Sequence, residues 1–359
     1  MTDRSYRVVQ WSTGNVGRHA IAGIAARPDL DLVGVWVSNP AKVGVDAGRL
    51  AGLDRDLGVA ATGDAEALLA LRPDCIVHTA WADDRLFEAL GDLERFLRAG
   101  VNVVSSSPVF LQYPRGAVPE AMYRGVERAA AEGGVSLFVN GVDPGFANDW
   151  LPLVMTGICE RIDEVRCMEI LNYATYDQPT VLFDIMGFGR AVDEVPFILT
   201  PGILTTAWGS VVAQIAAGLG VTLDGIVEWH ERVPAPEAFT VASGRIEAGT
   251  TAGLRFEVRG MVGGVARIVL EHVTRLRDDL ATDWPQPTGH GGYRVVLTGE
   301  PNYTLDMQML AGDGDHNTAG LKATAMRLVN AVPAVVAARP GLITALDLPL
   351  VTGRGLLAT

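Results

Sequence analysis

The chain holds little cysteine, almost no lysine and no long apolar run. Its three cysteines, Cys75, Cys159 and Cys167, show no CxxC spacing and no paired histidines beside them. A disulfide framework or zinc site is therefore not expected, and no metal is assigned. Lysine occurs only at Lys42 and Lys322, so a lysine-based mechanism has just two positions open to it. Cations are in deficit overall, with 29 Lys and Arg against 42 Asp and Glu, a net charge of −13 and no basic run. That balance argues against a nucleic-acid partner, which needs clustered cations against phosphate. No segment reaches the ~18 consecutive apolar residues that suggest a membrane-spanning helix. Met1-Thr2-Asp3-Arg4 leads into a strand-like run without the apolar core of a signal peptide. The expectation is a cytoplasmic protein with no membrane partner.

What is present reads as an enzyme of two domains. A chain of 359 residues, 48% apolar and with 41 glycines, is long enough to bury two cores. In the first third, strand-like runs at Tyr6–Trp11, Leu32–Val37, Cys75–Thr79, Val101–Val104 and Val135–Val139 alternate with helical patterns. The helical patterns are Val16–Ala26, Asp64–Leu71, Arg85–Arg98 and Glu120–Ala131. Such alternation predicts parallel strands joined by right-handed helical crossovers. From about Pro144 the pattern changes. A helical segment (Asn148–Ile158) and a long run (Glu164–Thr175) precede the apolar helix Thr205–Leu219. The β-branched runs Ile226–Val233, Ala252–Val262, Ala266–Leu276, Tyr293–Leu297 and Tyr303–Leu310 then follow without helices between them. The predicted fold class is α/β. A Rossmann domain over 1–143 is followed by an α+β substrate and dimerisation domain over 144–312, built on an open, largely antiparallel sheet. A C-terminal helical segment, 313–359, is expected to pack back on the first domain.

The sharpest motif is Val8-Val9-Gln10-Trp11-Ser12-Thr13-Gly14-Asn15-Val16-Gly17, a strand, a tight turn and a helix start in immediate succession. Backbone N–H groups and the positive helix end are then aimed at a pyrophosphate. Ser12 stands where the first glycine of GxGxxG would be. Ser12, Thr13, Gly14, Asn15, Val16 and Gly17 are the candidate phosphate-binding residues. After the second strand, where an acid would hold the ribose of NAD, stand Ser38, Asn39 and Lys42. Neutral hydrogen bonds and a cation suit a 2′-phosphate, so NADP(H) is preferred and NAD(H) remains possible. Ligands of open α/β sheets bind at carboxyl strand ends, which adds Thr79, Ala80, Ser105, Ser106 and Asn140. His78 reads equally as structural or catalytic. Asp143, before Pro144-Gly145, reads first as a turn residue.

The WSTGNVG turn, the HTA and VNVVSSS strand ends and the NGVDPGF junction resemble the dihydrodipicolinate reductase-like superfamily. Asn172–Asp177, Phe183–Gly189 and Ala325–Pro333 resemble its branch containing 2,4-diaminopentanoate dehydrogenase and the native amine dehydrogenases. The resemblance implies a Rossmann domain, an open-sheet second domain, a homodimer, and NAD(P)H-dependent chemistry at a C=N or C–NH2 centre. Two departures stand out. The His-His pair and nearby Lys of true dihydrodipicolinate reductases are missing. The acid expected just beyond the fifth strand of amine dehydrogenases is replaced by Ser105–Tyr113, without a carboxylate. That absence favours reduction of a preformed C=N or C=O over ammonia-dependent amination.

Hydride transfer also needs an acid or base near the acceptor. Glu169, in an apolar strand context, and Tyr173 and Tyr176 beyond it are the catalytic candidates. Period-two alternation places Cys167, Glu169, Leu171 and Tyr173 on one face. Asp177 and Asp184 read as helix-flanking residues, Asp315 or Asn317 as a helix cap, and Trp208 as core or dimer contact. The functional expectation is an oxidoreductase acting on an imine, amine or carbonyl of a small, fairly apolar substrate. A non-catalytic dinucleotide-binding redox sensor is the alternative.

Overall fold

The computed structural model describes residues 5–82 and 85–357, so Met1–Arg4 lies outside the described residues. The chain divides into two compact units. One is Met1–Pro114, Pro119–Val142 and Leu321–Thr359; the other is Arg115–Val118 and Asp143–Gly320. The strands begin with β1 (Tyr6–Trp11), β2 (Leu30–Trp36), β3 (Ala61–Thr62), β4 (Cys75–His78), β5 (Asn102–Ser105) and β6 (Ser136–Val139). Between them lie α1 (Asn15–Ala25), α2 (Ala47–Leu50), α3 (Ala65–Ala70), α4 (Leu86–Arg98) and α5 (Arg124–Gly133). The second unit opens with α6 (Trp150–Thr156), β7 (Arg161–Asn172) and α7 (Ile203–Gly218). It continues through β8 (Gly225–Pro234), β9 (Phe239–Val241), β10 (Gly244–Ile246), β11 (Thr251–Val262), β12 (Val265–Arg275), β13 (Gly292–Glu300) and β14 (Tyr303–Gln308). The division falls inside α8 (His316–Val336), and β15 (Gly341–Ile343) belongs to the first unit.

The first unit is a parallel seven-stranded sheet in the order β15-β6-β5-β4-β1-β2-β3. Strand order reverses between β1 and β4, the topology of a doubly wound Rossmann sheet with its ligand crevice at that switch point. Apolar spacing builds it: Ala20, Ile21 and Ile24 of α1 are wholly buried. Ala20 and Ile24 share a core with Val8, Val77 and Phe138, which Leu328, Val329 and Val332 of α8 complete. Two local differences from the sequence reading have simple causes. The continuous helix expected over Glu120–Ala131 breaks at Tyr123 (φ −129°, ψ −13°), leaving a short 3-10 turn before α5. The seventh strand, β15, is only three residues long and carries no alternation to betray it.

The second unit is a six-stranded sheet in the order β14-β13-β7-β12-β11-β8. Only β7 and β12 pair in parallel. Its two faces differ sharply. Val165, Cys167, Leu254, Phe256, Leu270 and Val295 join Val211, Val212 and Ile215 of α7 in an apolar core. The opposite face carries Arg166 bonded to Glu164, Glu257 and Glu271, with Arg255 on Glu231 and Glu271 and Arg259 on Glu257. No helix among the described residues is long and apolar enough to cross a membrane.

Candidate functional site

In the first unit the glycine turn has the features that bind phosphate. Ser12 adopts φ 80°, the left-handed conformation that glycine usually occupies. α1 starts at Asn15 with Gly14 at its cap position and no side chain capping it, which leaves its first-turn N–H groups and positive end to an anion. A Cβ on Gly14 would come near only Ser12 Oγ, at 3.9 Å, so the space over the turn is open. A Cβ on Gly17 would lie 2.3 Å from the Ser12 carbonyl oxygen and 2.9 Å from Thr79 Oγ1. Glycine at 17 is therefore required by the protein itself.

A side chain unremarked in the sequence holds this turn. Gln10 is wholly buried and its Nε2 donates to Thr79 Oγ1 (2.7 Å), Ser12 O (2.9 Å) and Trp11 O (3.2 Å). Thr79 N donates to Trp11 O, Ser106 N to His78 O and Asn140 N to Ser105 O, so the carboxyl ends of β1, β4, β5 and β6 form one row. The Ala80 carbonyl accepts from Ser107 Oγ. Asn140 Oδ1 accepts from Arg327 Nε at 2.7 Å.

Two expected binding residues, Ser105 and Asn39, have other employment. The Ser105 hydroxyl is fully buried between His78 Nδ1 and the Ser107 backbone, so it supports the row rather than lining it. Asn39 Oδ1 accepts from Ala41 N and caps the turn carrying Lys42, while Ser38 beside it is exposed. Lys42 reaches back to the glycine turn, with Nζ 3.1 Å from Thr13 Oγ1 and 3.3 Å from Thr13 O. An uncapped helix start, open space over Gly14 and an ammonium group beside Thr13 fit a phosphate-bearing dinucleotide. Burial, with Arg85 adding to it, lowers the His78 pKa to about 3, so its ring stays neutral.

The second unit holds a chain of buried polar groups across its sheet. In register, Tyr293 of β13 stands opposite Glu169 of β7, Glu169 opposite His272 of β12, and His272 opposite Phe256 of β11. His272 Nδ1 is 3.4 Å from Glu169 Oε1, and its Nε2 is 3.5 Å from Asp143 Oδ1. Tyr173 donates its hydroxyl to Glu169 Oε1 at 2.9 Å, and the Tyr176 ring packs 4.9 Å from the Tyr173 ring. Trp208 Nε1 donates to Asp143 Oδ1 at 3.0 Å. The imidazole stacks on Phe256 with ring centroids 4.7 Å apart and meets the edge of Trp208 at the same separation.

This geometry determines charge. Burial alone would lower the pKa of His272, but Asp143 and Glu169 outweigh it and raise it to about 10. The ring is therefore an imidazolium at neutral pH, donating from both nitrogens. Burial, with the Glu169 charge next, pushes Tyr173 and Tyr293 well above the usual phenol range, so both stay protonated. The ligand-type atoms of Asp143, Glu169 and His272 all lie within 4.8 Å of one another. Because each acid faces a different ring nitrogen, the trio is arranged as an ion-paired chain rather than a shell around one ion.

Sequence reasoning singled out Glu169, Tyr173 and Tyr176, and the structure brings them together. It missed His272 and Tyr293 and ranked Asp143 as a turn residue first and a site residue second. The available signal was phase: in β12, His272 continues the core-facing series of Ile268 and Leu270, where a lone polar side chain needs a partner. Trp208, expected as core or dimer contact, bonds Asp143. Asp315 accepts from Thr318 N and caps α8 as expected, while Asn317 instead bonds Asn172 O and Thr175.

A Rossmann unit with a phosphate-binding turn, joined in one chain to a sheet unit carrying buried acid–base groups, defines a dehydrogenase-type oxidoreductase. Residues 146–355 match the family model of the 2,4-diaminopentanoate dehydrogenase C-terminal domain. The chain is 47% identical over 347 residues to an amine dehydrogenase of Streptomyces virginiae, covering 95% of this chain and 96% of that protein. It is 27% identical over 267 residues to 2,4-diaminopentanoate dehydrogenase of Acetoanaerobium sticklandii, covering 73% and 70% respectively. The structure of amine dehydrogenase from Mycobacterium smegmatis superposes with a TM-score of 0.76 at 24% identity, covering 97% of both chains. The chain belongs to the 2,4-diaminopentanoate dehydrogenase and amine dehydrogenase family of the dihydrodipicolinate reductase-like superfamily, and it is an oxidoreductase.

Proposed function

We propose that the protein is a cytoplasmic NAD(P)-dependent amine dehydrogenase, preferring NADP(H) and acting on a small, fairly apolar primary amine without a carboxylate. In the oxidative direction the amine and NAD(P)+ give an imine, which water converts to a carbonyl compound and ammonia. The single observation that carries the reading is the buried Glu169–His272–Asp143 chain in a member of this family. A bound nicotinamide would supply the hydride acceptor. Ser12–Gly17 and Lys42 would hold the phosphates of the dinucleotide.

Glu169 is placed to take the proton that an ammonium group must lose, and to return it in the reverse direction. Tyr173 and His272 fix its carboxylate, and burial excludes water from it. Two acidic side chains against one imidazole give a lining that suits a cationic amine. Arg166, Arg255, Arg259 and Arg294 belong to the opposite face of the sheet, so they offer a substrate carboxylate no counter-ion here. This chain thus replaces the acid missing after β5 with an acid–base chain on β7 and β12. Such a buried proton-transfer system serves turnover and has no use in a non-catalytic sensor.

The test is turnover of a series of primary amines with NADP+ and NAD+, read by formation of the reduced nucleotide. Apolar amines should react and their α-carboxylated counterparts should not. Glu169→Gln should lower kcat by about 10²–10⁴-fold, the range of general acid–base contributions. Full turnover by that variant, or no turnover by the wild type, would overturn the reading. We also propose a homodimer formed through the second unit, to be checked by sedimentation of the purified chain.

A further inference from the structure

We propose that Trp208 is a positioning residue: its indole N–H holds the Asp143 carboxylate on the Nε2 edge of His272, and the imidazolium in turn fixes Glu169 for proton transfer. The inference rests on the reading of Glu169 given above and adds the group that orders the chain behind it.

Trp208 touches the chain twice. Its Nε1 donates to the same Asp143 oxygen that faces His272 Nε2, and its ring edge closes over the imidazole. Indole offers a donor and no acceptor, so Asp143 Oδ1 accepts from it and is held on the Nε2 side of His272. The helix bearing Trp208 is tied down on both sides. Glu228 accepts from Gly202 N, Thr205 N and Thr205 Oγ1 at the start of α7, and Gln214 Nε2 donates to Asp149 Oδ2 further along. A Cβ on Gly209 would lie 3.0 Å from Thr205 and 3.2 Å from Ile226, so α7 sits close against the sheet next to Trp208.

The groups around His272 account for its charge without another donor. Glu169 lies on β7 with Tyr173 beyond its end, Tyr293 on β13, and Asp143 before α6. Asp143 and Asp149 both act on the buried Cys167 thiol, Phe256 and Trp208 are uncharged, and His230 is one strand beyond Phe256 in the same register row. Asp143 is the partner on the Nε2 side, and Trp208 is what holds it.

The experiment is Trp208→Phe, which keeps an aromatic ring against His272 and Phe256 and removes the N–H. Three readouts apply: steady-state kinetics against pH, nucleotide binding, and imidazole 15N NMR of His272 without substrate. We expect kcat to fall about 10-fold with nucleotide affinity unchanged, the size of one hydrogen bond to a charged group. His272 should lose its proton about one pH unit earlier, moving the alkaline limb of the rate profile the same way. Asp143→Asn should shift both in the same direction, and adding Trp208→Phe to it should change nothing further. An unshifted His272 titration in Trp208→Phe, or additive effects in the double variant, would overturn the proposal. If Trp208→Phe does not fold, His272 titrating in Asp143→Asn as in the wild type does the same. The NMR arm needs no turnover, so it decides the role of Trp208 even if Glu169→Gln remains active and the reading of Glu169 falls.

Discussion

The two glycines of the first turn separate what the ligand needs from what the protein needs. In Gly17→Ala the new Cβ would sit 2.3 Å from a backbone carbonyl, which no side-chain rotation relieves. Overpacking of this kind costs about 1–3 kcal/mol, offset by up to about 1 kcal/mol of helix propensity. At the middle of each range the net loss is about 1.5 kcal/mol, which should lower Tm by about 3–6 °C for a domain of this size. Gly14→Ala adds a Cβ that meets nothing closer than 3.9 Å, at a backbone φ of −74° that alanine accepts. Its stability cost is that of a poorer helix cap, about 0.5 kcal/mol or less than about 2 °C in Tm. Both variants should bind NADPH at least about tenfold more weakly, one by moving the turn and the other by intruding on the phosphates. Thermal unfolding and fluorescence titration on the same samples check this. Wild-type affinity in Gly14→Ala would show that phosphate does not lie over this turn. An unchanged Tm in Gly17→Ala would refute the packing argument.

Lys42→Ala should weaken NADPH about tenfold or more, the worth of a charge-assisted hydrogen bond, while changing NADH little. Equal loss for both nucleotides, measured by titration, would mean that Lys42 only braces Thr13. His78 predicts an acid-side instability: burial lowers its pKa from 6.5 to about 3, so unfolding lets it take up a proton. Its contribution is whole above pH 6.5 and is lost progressively as pH falls toward 3. Urea midpoints of His78→Gln should therefore decline less steeply with acid than the wild type, and parallel curves would refute the assignment.

The first unit was largely legible because its information is local. Alternation of apolar strands with helical spacing in α1 and α4, and the succession Trp11–Gly17, specify a parallel sheet and its phosphate turn within short windows. Lys42, assigned from its count after the turn, does reach the turn itself, at Thr13. The acid–base chain was legible only in part because its members lie far apart in sequence. Glu169 and Tyr173 are four residues apart on one strand and its exit. Asp143, Trp208, His272 and Tyr293 reach them only through the pairing of β7 with β12 and β13 and the seating of α7. Strand register decides whether His272 meets Glu169, and a slip of one residue would turn it to the opposite face. Gln10 escaped notice for a different reason. A glutamine inside an apolar strand looks like noise until its acceptors are seen to be the turn and Thr79 beside it.

Burying two carboxylates and an imidazolium costs several kcal/mol per ion in desolvation, and their attraction need not return it. The trio is therefore a poor device for stability, which supports retention for chemistry. The claim can be tested by removing charges in order. His272→Phe keeps the stacked ring but leaves Glu169 and Asp143 without the cation between them, and should cost about 3–5 kcal/mol. If uncompensated charge is the cause, His272→Phe/Glu169→Gln should recover at least half of that loss while remaining inactive. pH adds an independent sign. The His272 pKa is raised from 6.5 to about 10, so its contribution is whole below 6.5 and is lost as pH rises through 10. Wild-type stability should carry that alkaline decline and His272→Phe should lack it. Were the double variant no more stable than His272→Phe, the cost would lie in the poorer fit of a phenyl ring in the imidazole's place against Phe256 and Trp208. The trio would then be held by shape rather than by charge.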